Sequence, residues 1–167
     1  MDLEHELTED EIAEARILIV DDDELVTGSL SSFFTLELDV DPIVYNDSTK
    51  AAEFLKDNEL DLIITDFLMP TMNGIQLLAQ ARKHQPQVPR VLLTGYADKE
   101  NAIKAINEVG VYQYIEKPWE NDRLKSVVLG GLARLFALRQ LDTSMSELEI
   151  SDNDFVVLRE ALIKTFT

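Results

Sequence analysis

The sequence predicts an α/β protein built on an open, doubly wound parallel sheet of five strands. Short, nearly continuous apolar runs punctuate the chain five times, and segments with helical periodicity separate them. This strand-plus-helix unit recurs about every 20 to 25 residues, which places helices on both faces of a parallel sheet. Residues 16–20 (RILIV) end abruptly in carboxylates, the pattern of a strand buried on both faces.

The remaining strands fall at residues 40–45, 60–65, 90–93 and 112–115. Leu25, Leu30, Phe33, Phe34 and Leu38 mark the first intervening helix, and Ala51, Ala52, Phe54 and Leu55 the second. Ile75, Leu77, Leu78 and Ala81 mark the third, and Ala102, Ile103 and Ile106 the fourth. Leu124, Val127, Val128, Leu132 and Leu135 mark the fifth. Asp47-Ser48-Thr49 and Ala97-Asp98 are N-cap candidates, Asn73-Gly74 turns into the third helix, and Pro86 and Pro89 bracket the approach to the fourth strand.

The fifth helix is expected from about residue 120 to residue 141, longer than the sheet needs. Leu129, Phe136 and Leu138 make more than one of its faces apolar. Gly130-Gly131 costs helix stability, about 1 kcal/mol per glycine relative to alanine, and allows close packing or a bend. Residues 142–150 read as a linker. Ser151-Asp152-Asn153 then caps a last helix with Phe155, Leu158, Leu162 and Phe166 on one face. The expected organisation is an acidic extension over 1–14, the folded domain over 15–138, and a linker with an amphipathic helix over 139–167.

Bulk properties exclude several classes. The 167 residues suit one core with extensions. Without cysteine, disulfides, iron–sulfur centres, zinc–thiolate clusters and thiol nucleophiles are ruled out. No apolar run approaches the roughly 20 residues needed to span a bilayer. Residues 1–15 carry seven carboxylates and no Lys or Arg, which is unlike a signal peptide. A cytoplasmic location without membrane attachment is expected. The net charge of −17 comes with no basic stripe, so direct nucleic-acid binding is not expected.

In an open parallel sheet, ligands collect at the carboxyl ends of the strands beside the point where strand order reverses. The first strand ends in Asp21-Asp22-Asp23, the third in Asp66, the fourth in Thr94 and the fifth in Lys117-Pro118. Carboxylates gathered in one crevice repel one another and call for a cation. Oxygen-only donors select a hard ion, Mg²⁺ or Mn²⁺. Such an ion can polarise a phosphoryl group while a carboxylate attacks as nucleophile. Lys117 can pair with a phosphoryl oxygen, and the Thr94 hydroxyl can hydrogen-bond to it.

These landmarks, in this order, resemble the receiver domain of two-component response regulators, and the likeness covers about residues 15–138. The resemblance implies a flavodoxin-like sheet of order 2-1-3-4-5. It also implies that Asp66 accepts a phosphoryl group from a histidine kinase or phosphotransfer protein in a Mg²⁺-dependent reaction. Asp21 and Asp22 fall on the acidic metal pair, Asp22 as the direct ligand and Asp21 partly through water. Asp23 leaves open which pair ligates. Leu68 falls on a ligand that binds through its backbone carbonyl, inside DFLMPTMNG (66–74), which resembles the family's loop after the acceptor. Thr94 falls on the switch hydroxyl, Tyr114 on the switch aromatic and Lys117 on the lysine. The family's output face, formed by the fourth helix, fifth strand and fifth helix, would bind a partner or a second copy, as could the C-terminal helix. GYADKENAIKAIN and VYQYIEKPW resemble receivers fused to cyclic-dinucleotide phosphodiesterase domains or hydrogenase-type activators.

Two other readings compete with a non-enzymatic phospho-switch that dephosphorylates itself slowly. Asp21-x-Asp23 with Thr94 and Lys117 mimics a haloacid-dehalogenase-like phosphatase, although no later acidic metal motif follows and Asp66 is left unexplained. A phosphorylation-independent scaffold would keep the fold without the chemistry. His5 and His84 suggest no metal or catalytic role.

Overall fold

The computed structural model describes residues 6–147, 156–157, 159–161 and 163–164. Elements follow in the order α1 (Glu9–Ala13), β1 (Ile17–Val20), α2 (Glu24–Leu38), β2 (Ile43–Tyr45), α3 (Ser48–Asp57) and β3 (Leu62–Asp66). Then come α4 (Gly74–His84), β4 (Arg90–Thr94), a 3₁₀ turn, α5 (Lys99–Val109), β5 (Gln113–Glu116) and α6 (Asn121–Glu147). All strand pairs are parallel, in the order β2-β1-β3-β4-β5. This is the doubly wound, flavodoxin-like sheet that the sequence implies.

Alternation along β1 divides the interior into two cores. Ile17 and Ile19 join Leu62, Ile64, Val91 and Leu93 beneath α2 and α6, where Phe34, Leu124, Val128 and Leu132 close the layer. Leu18 and Val20 face the other way, joining Ile63 and Leu92 beneath α3, α4 and α5. β1, β3 and β4 are buried throughout, so both faces of the central strands must be apolar.

The expected apolar faces hold with two exceptions. Leu25 is 83 % exposed at the start of α2, and Ile103 on α5 is 42 % exposed. Asp98 precedes α5 but makes no side-chain cap bond, whereas Asp47 and Asn73 both cap their helices. β2 starts only at Ile43, just after Pro42, which has no N–H to offer a ladder. Residues 142–147, read as the start of a linker, are instead helical and continue α6. Leu138, Leu141 and Met145 extend the buried stripe at helical spacing, and the Thr143 hydroxyl donates to the Arg139 carbonyl. The glycine pair serves close packing: a Cβ on Gly130 would stand 2.8 Å from the Tyr112 hydroxyl, and one on Gly131 3.1 Å from Leu62.

Beyond α6, residues 156–157, 159–161 and 163–164 are helical, and Arg159 lies 3.7 Å from Asp142. Phe155, Leu158, Leu162 and Phe166 fall outside the described residues. At the other terminus, Thr8 and Glu11 form a capping box on α1, and Leu7 and Ile12 pack on the α2/α6 core. Among the described residues no helix is long and apolar enough to cross a membrane.

Candidate functional site

Strand order reverses between β1 and β3, because β1 connects to β2 on one side while β3 lies on the other. A crevice therefore opens at their carboxyl ends, and the acidic residues converge there. Asp21, Asp22 and Asp66 each offer a carboxylate oxygen within 4.8 Å of the others. The Lys117 ammonium sits between two of them, 2.9 Å from Asp21 Oδ2 and 2.7 Å from Asp66 Oδ1.

Asp66 is the last residue of β3 and is 8 % exposed. It pairs in register with Leu93 of β4, one residue before Thr94. The chain doubles back beside it, where the Gly74 N–H donates to the Phe67 carbonyl at 2.8 Å. A Cβ at position 74 would overlap the Asp66 carbonyl oxygen, so this close approach admits only glycine. Thr71 in the same loop holds a left-handed backbone with φ of 70°. Leu68 is on this loop too, its side chain exposed.

The acidic run after β1 divides its labour. Asp21 is buried, and its Oδ1 accepts the Asp23 N–H at 2.9 Å. Asp23 turns away to cap α2, accepting the Leu25 N–H at 2.9 Å. The three-carboxylate cluster therefore contains Asp22 rather than Asp23, which removes the Asp21/Asp23 pairing that a dehalogenase-like phosphatase would use.

Electrostatics follow from burial. Desolvation raises the Asp21 pKa, aided by the Asp66 charge and opposed by the Asp23 N–H and Lys117. Burial alone would lower the Lys117 pKa, but hydrogen bonds to Asp66 and Asp21 outweigh it and leave it raised. One ammonium thus pairs with two of the three clustered carboxylates. The donor set is all oxygen and retains excess negative charge, which fits a hard divalent cation.

Thr94 ends β4 fully buried, its hydroxyl donating to the Gly95 carbonyl at 3.2 Å. The Lys117 N–H donates to the Thr94 carbonyl at 2.9 Å, tying the two strand ends together. Tyr114 is half-buried on β5 against the α3/α4/α5 core. Trp119 packs partly on the opposite core.

One contributor escaped the sequence reading. Asn46 directly follows β2, and its side-chain amide donates to the Asp21 carbonyl at 2.9 Å and the Thr27 hydroxyl at 3.0 Å. Its signal was the same as that of the others, a polar residue at a strand's carboxyl end.

An acidic, lysine-bridged crevice stands at the switch point of a doubly wound five-stranded sheet. Comparison with known proteins gives the family. The response regulator receiver domain profile matches residues 17–129. The hydrogenase transcriptional regulatory protein HoxA of Cupriavidus necator is 32 % identical over 115 residues, which is 69 % of this chain and 23 % of that protein. The regulatory protein AtoC of Escherichia coli is 35 % identical over 113 residues, 68 % of this chain and 24 % of that protein. The chain thus spans about a quarter of the length of these curated relatives. The signal receiver domain of an HD domain-containing protein from Pseudomonas fluorescens superposes with a TM-score of 0.68 at 32 % identity, covering 74 % of this chain and 98 % of that one. The chain belongs to the response regulator receiver domain family of two-component signalling.

Proposed function

We propose that Asp66 accepts a phosphoryl group from the phosphohistidine of a histidine kinase or phosphotransfer protein. The observation that carries this reading is Asp66 at the reversal point of the sheet, with Lys117 at 2.7 Å and two further carboxylates in reach. A carboxylate oxygen of Asp66 attacks phosphorus, the phosphorus–nitrogen bond breaks with its electron pair going to nitrogen, and the imidazole, protonated on its other ring nitrogen, leaves as the neutral ring. Asp21, Asp22, Asp66 and the Leu68 carbonyl hold Mg²⁺ or Mn²⁺. When bound, the cation supplies charge neutralisation and polarisation of the phosphoryl oxygens. Lys117 exchanges its carboxylate contact for a phosphoryl oxygen and stabilises the charge that develops there.

Phosphorylation of Asp66 alters the balance that keeps the Thr94 hydroxyl on the Gly95 carbonyl. The hydroxyl turns to the new phosphoryl acceptor, and Tyr114 packs into the space it leaves. The face formed by α5, β5 and α6 then binds a partner or a second copy, with the C-terminal helix as another dimer contact. Inverting a 1:99 equilibrium requires about 5.5 kcal/mol of preference for the active state. The chain acts as a switch, not a turnover enzyme, works in the cytoplasm, loses its phosphoryl group slowly and makes no direct nucleic-acid contact.

Acetyl phosphate with Mg²⁺ should label the wild-type chain, and Asp66→Asn should abolish the label. Labelling that persists in Asp66→Asn would sink the proposal.

A further inference from the structure

The residues that lead from β2 into α3, Asn46 to Ser48, have no part in the chemistry above, yet they touch the Asp21 backbone and the loop that follows Asp66. Asn46 reaches the loop after β1. Its amide nitrogen carries two hydrogens, and both have acceptors: the Asp21 carbonyl at 2.9 Å and the Thr27 hydroxyl at 3.0 Å. The Asp21 carbonyl cannot donate, so the amide nitrogen rather than its oxygen must face it. Two residues on, the Ser48 hydroxyl is buried and donates to the Met72 carbonyl at 2.7 Å, in the loop that follows Asp66. Asp47 between them caps α3 through the Thr49 and Lys50 N–H groups, which fixes the turn itself.

Asp22 depends on this arrangement more than its neighbours do. The Asp21 side chain is fixed by Lys117 and the Asp23 N–H, and the Asp66 side chain by Lys117. Asp22 is exposed, so packing does not fix its side chain, and the backbone that carries it sets the point from which its carboxylate reaches Asp21 and Asp66. That backbone begins with the Asp21–Asp22 peptide, whose carbonyl oxygen Asn46 holds. Rotation of this plane would swing the Asp22 carboxylate out of its position beside Asp21 and Asp66.

We infer that the 46–48 turn is a clasp that positions the cation site, with Asn46 setting the Asp22 carboxylate and Ser48 setting the loop after Asp66. Both are positioning residues and touch neither the cation nor the phosphoryl group. The inference rests on the reading of Asp21, Asp22 and Asp66 as cation ligands.

The test is a calorimetric titration of the full chain with Mg²⁺, without phosphodonor, beside a thermal unfolding curve of each metal-free variant. Loss of a partner that orients a metal ligand weakens binding by 10-fold or more, so Asn46→Ala should raise the Mg²⁺ dissociation constant about 10-fold. Thr27→Val removes the other acceptor of the same amide without freeing the Asp21 carbonyl. It should lower the unfolding temperature as Asn46→Ala does and leave the dissociation constant within about twofold of wild type, a shift too small to count against the roughly tenfold effect expected of an orienting partner. Ser48→Ala should also weaken binding, and it carries the test if Asn46→Ala does not fold. Wild-type affinity in Asn46→Ala and Ser48→Ala overturns the clasp, as does equal weakening in Thr27→Val. A wild-type chain whose Mg²⁺ binding is absent, or survives Asp66→Asn, overturns the cation reading and the clasp with it.

Discussion

At the amino ends of the strands, Gln85, Arg90 and Asp61 match polar groups one to another. The Gln85 side chain accepts the Leu60 N–H and donates to the Leu55 and Asn58 carbonyls, stapling three segments. Arg90, 8 % exposed, donates to the carbonyls of Pro86, Val88 and Gly110. Asp61 accepts both the Arg16 N–H and the Arg139 guanidinium at 2.7 Å, fastening α6 to the sheet. At the carboxyl ends the arrangement is the reverse: carboxylates are crowded together against a single ammonium. The first end hides charge by satisfying it. The second keeps charge partly unsatisfied, which costs stability and leaves it available for a cation and a phosphoryl group. Substitutions at the two ends should therefore change stability in opposite directions.

The largest effect is expected at Arg90. Burial pulls its pKa down to about 10, with Arg82 and Arg134 adding to the shift, yet its donors satisfy the carbonyls of Pro86, Val88 and Gly110. Arg90→Met should cost about 2 kcal/mol in urea unfolding, because buried carbonyls lose their partners. Labelling of the folded fraction by acetyl phosphate should be unchanged.

Asp21→Asn should move the other way, raising metal-free stability by about 1 kcal/mol at pH 7, since it removes a desolvated like charge. The sign of its pH dependence follows from the raised pKa. A carboxyl whose folded pKa lies above its unfolded value adds stability that is fully present below the unfolded pKa of 3.8 and lost as pH rises through the folded value. The advantage of Asp21→Asn should thus be greatest at neutral pH and shrink on acidification. Urea unfolding across the acid range checks this, and an advantage that grows toward low pH would contradict it. Mg²⁺ should stabilise the wild type more than the variant.

The smallest effect is expected at Arg139, a third exposed, where Arg139→Gln should cost about 0.5 kcal/mol. Hydrogen exchange should quicken in the last turns of α6 while labelling at the far end of the sheet stays intact.

Much of this comparison was legible in the sequence, but unevenly. Runs such as RILIV can only be buried on both faces, so the sheet and its direction followed from composition. Asp66, Thr94 and Lys117 were found because each lies within two residues of the end of an apolar run. Asn46 obeys the same rule but follows a three-residue edge strand, where a polar residue carries little surprise. Leu25 matched the helical period yet is exposed, because spacing fixes a face only when the helix start is known. Arg90 was read only as the first residue of a strand, and the fold reveals three carbonyls around its guanidinium. The polar run after Leu141 resembled a linker because Met145 is the one buried side chain among its described residues.

The central claim is that the unsatisfied end of the sheet takes a phosphoryl group on Asp66. Reducing an acyl phosphate with borohydride converts the modified aspartate to homoserine, which peptide sequencing can locate. After treatment with acetyl phosphate and Mg²⁺, the account predicts homoserine at position 66 alone, and none when Mg²⁺ is chelated. Homoserine at position 21, 22 or 23, or at no position, would contradict it.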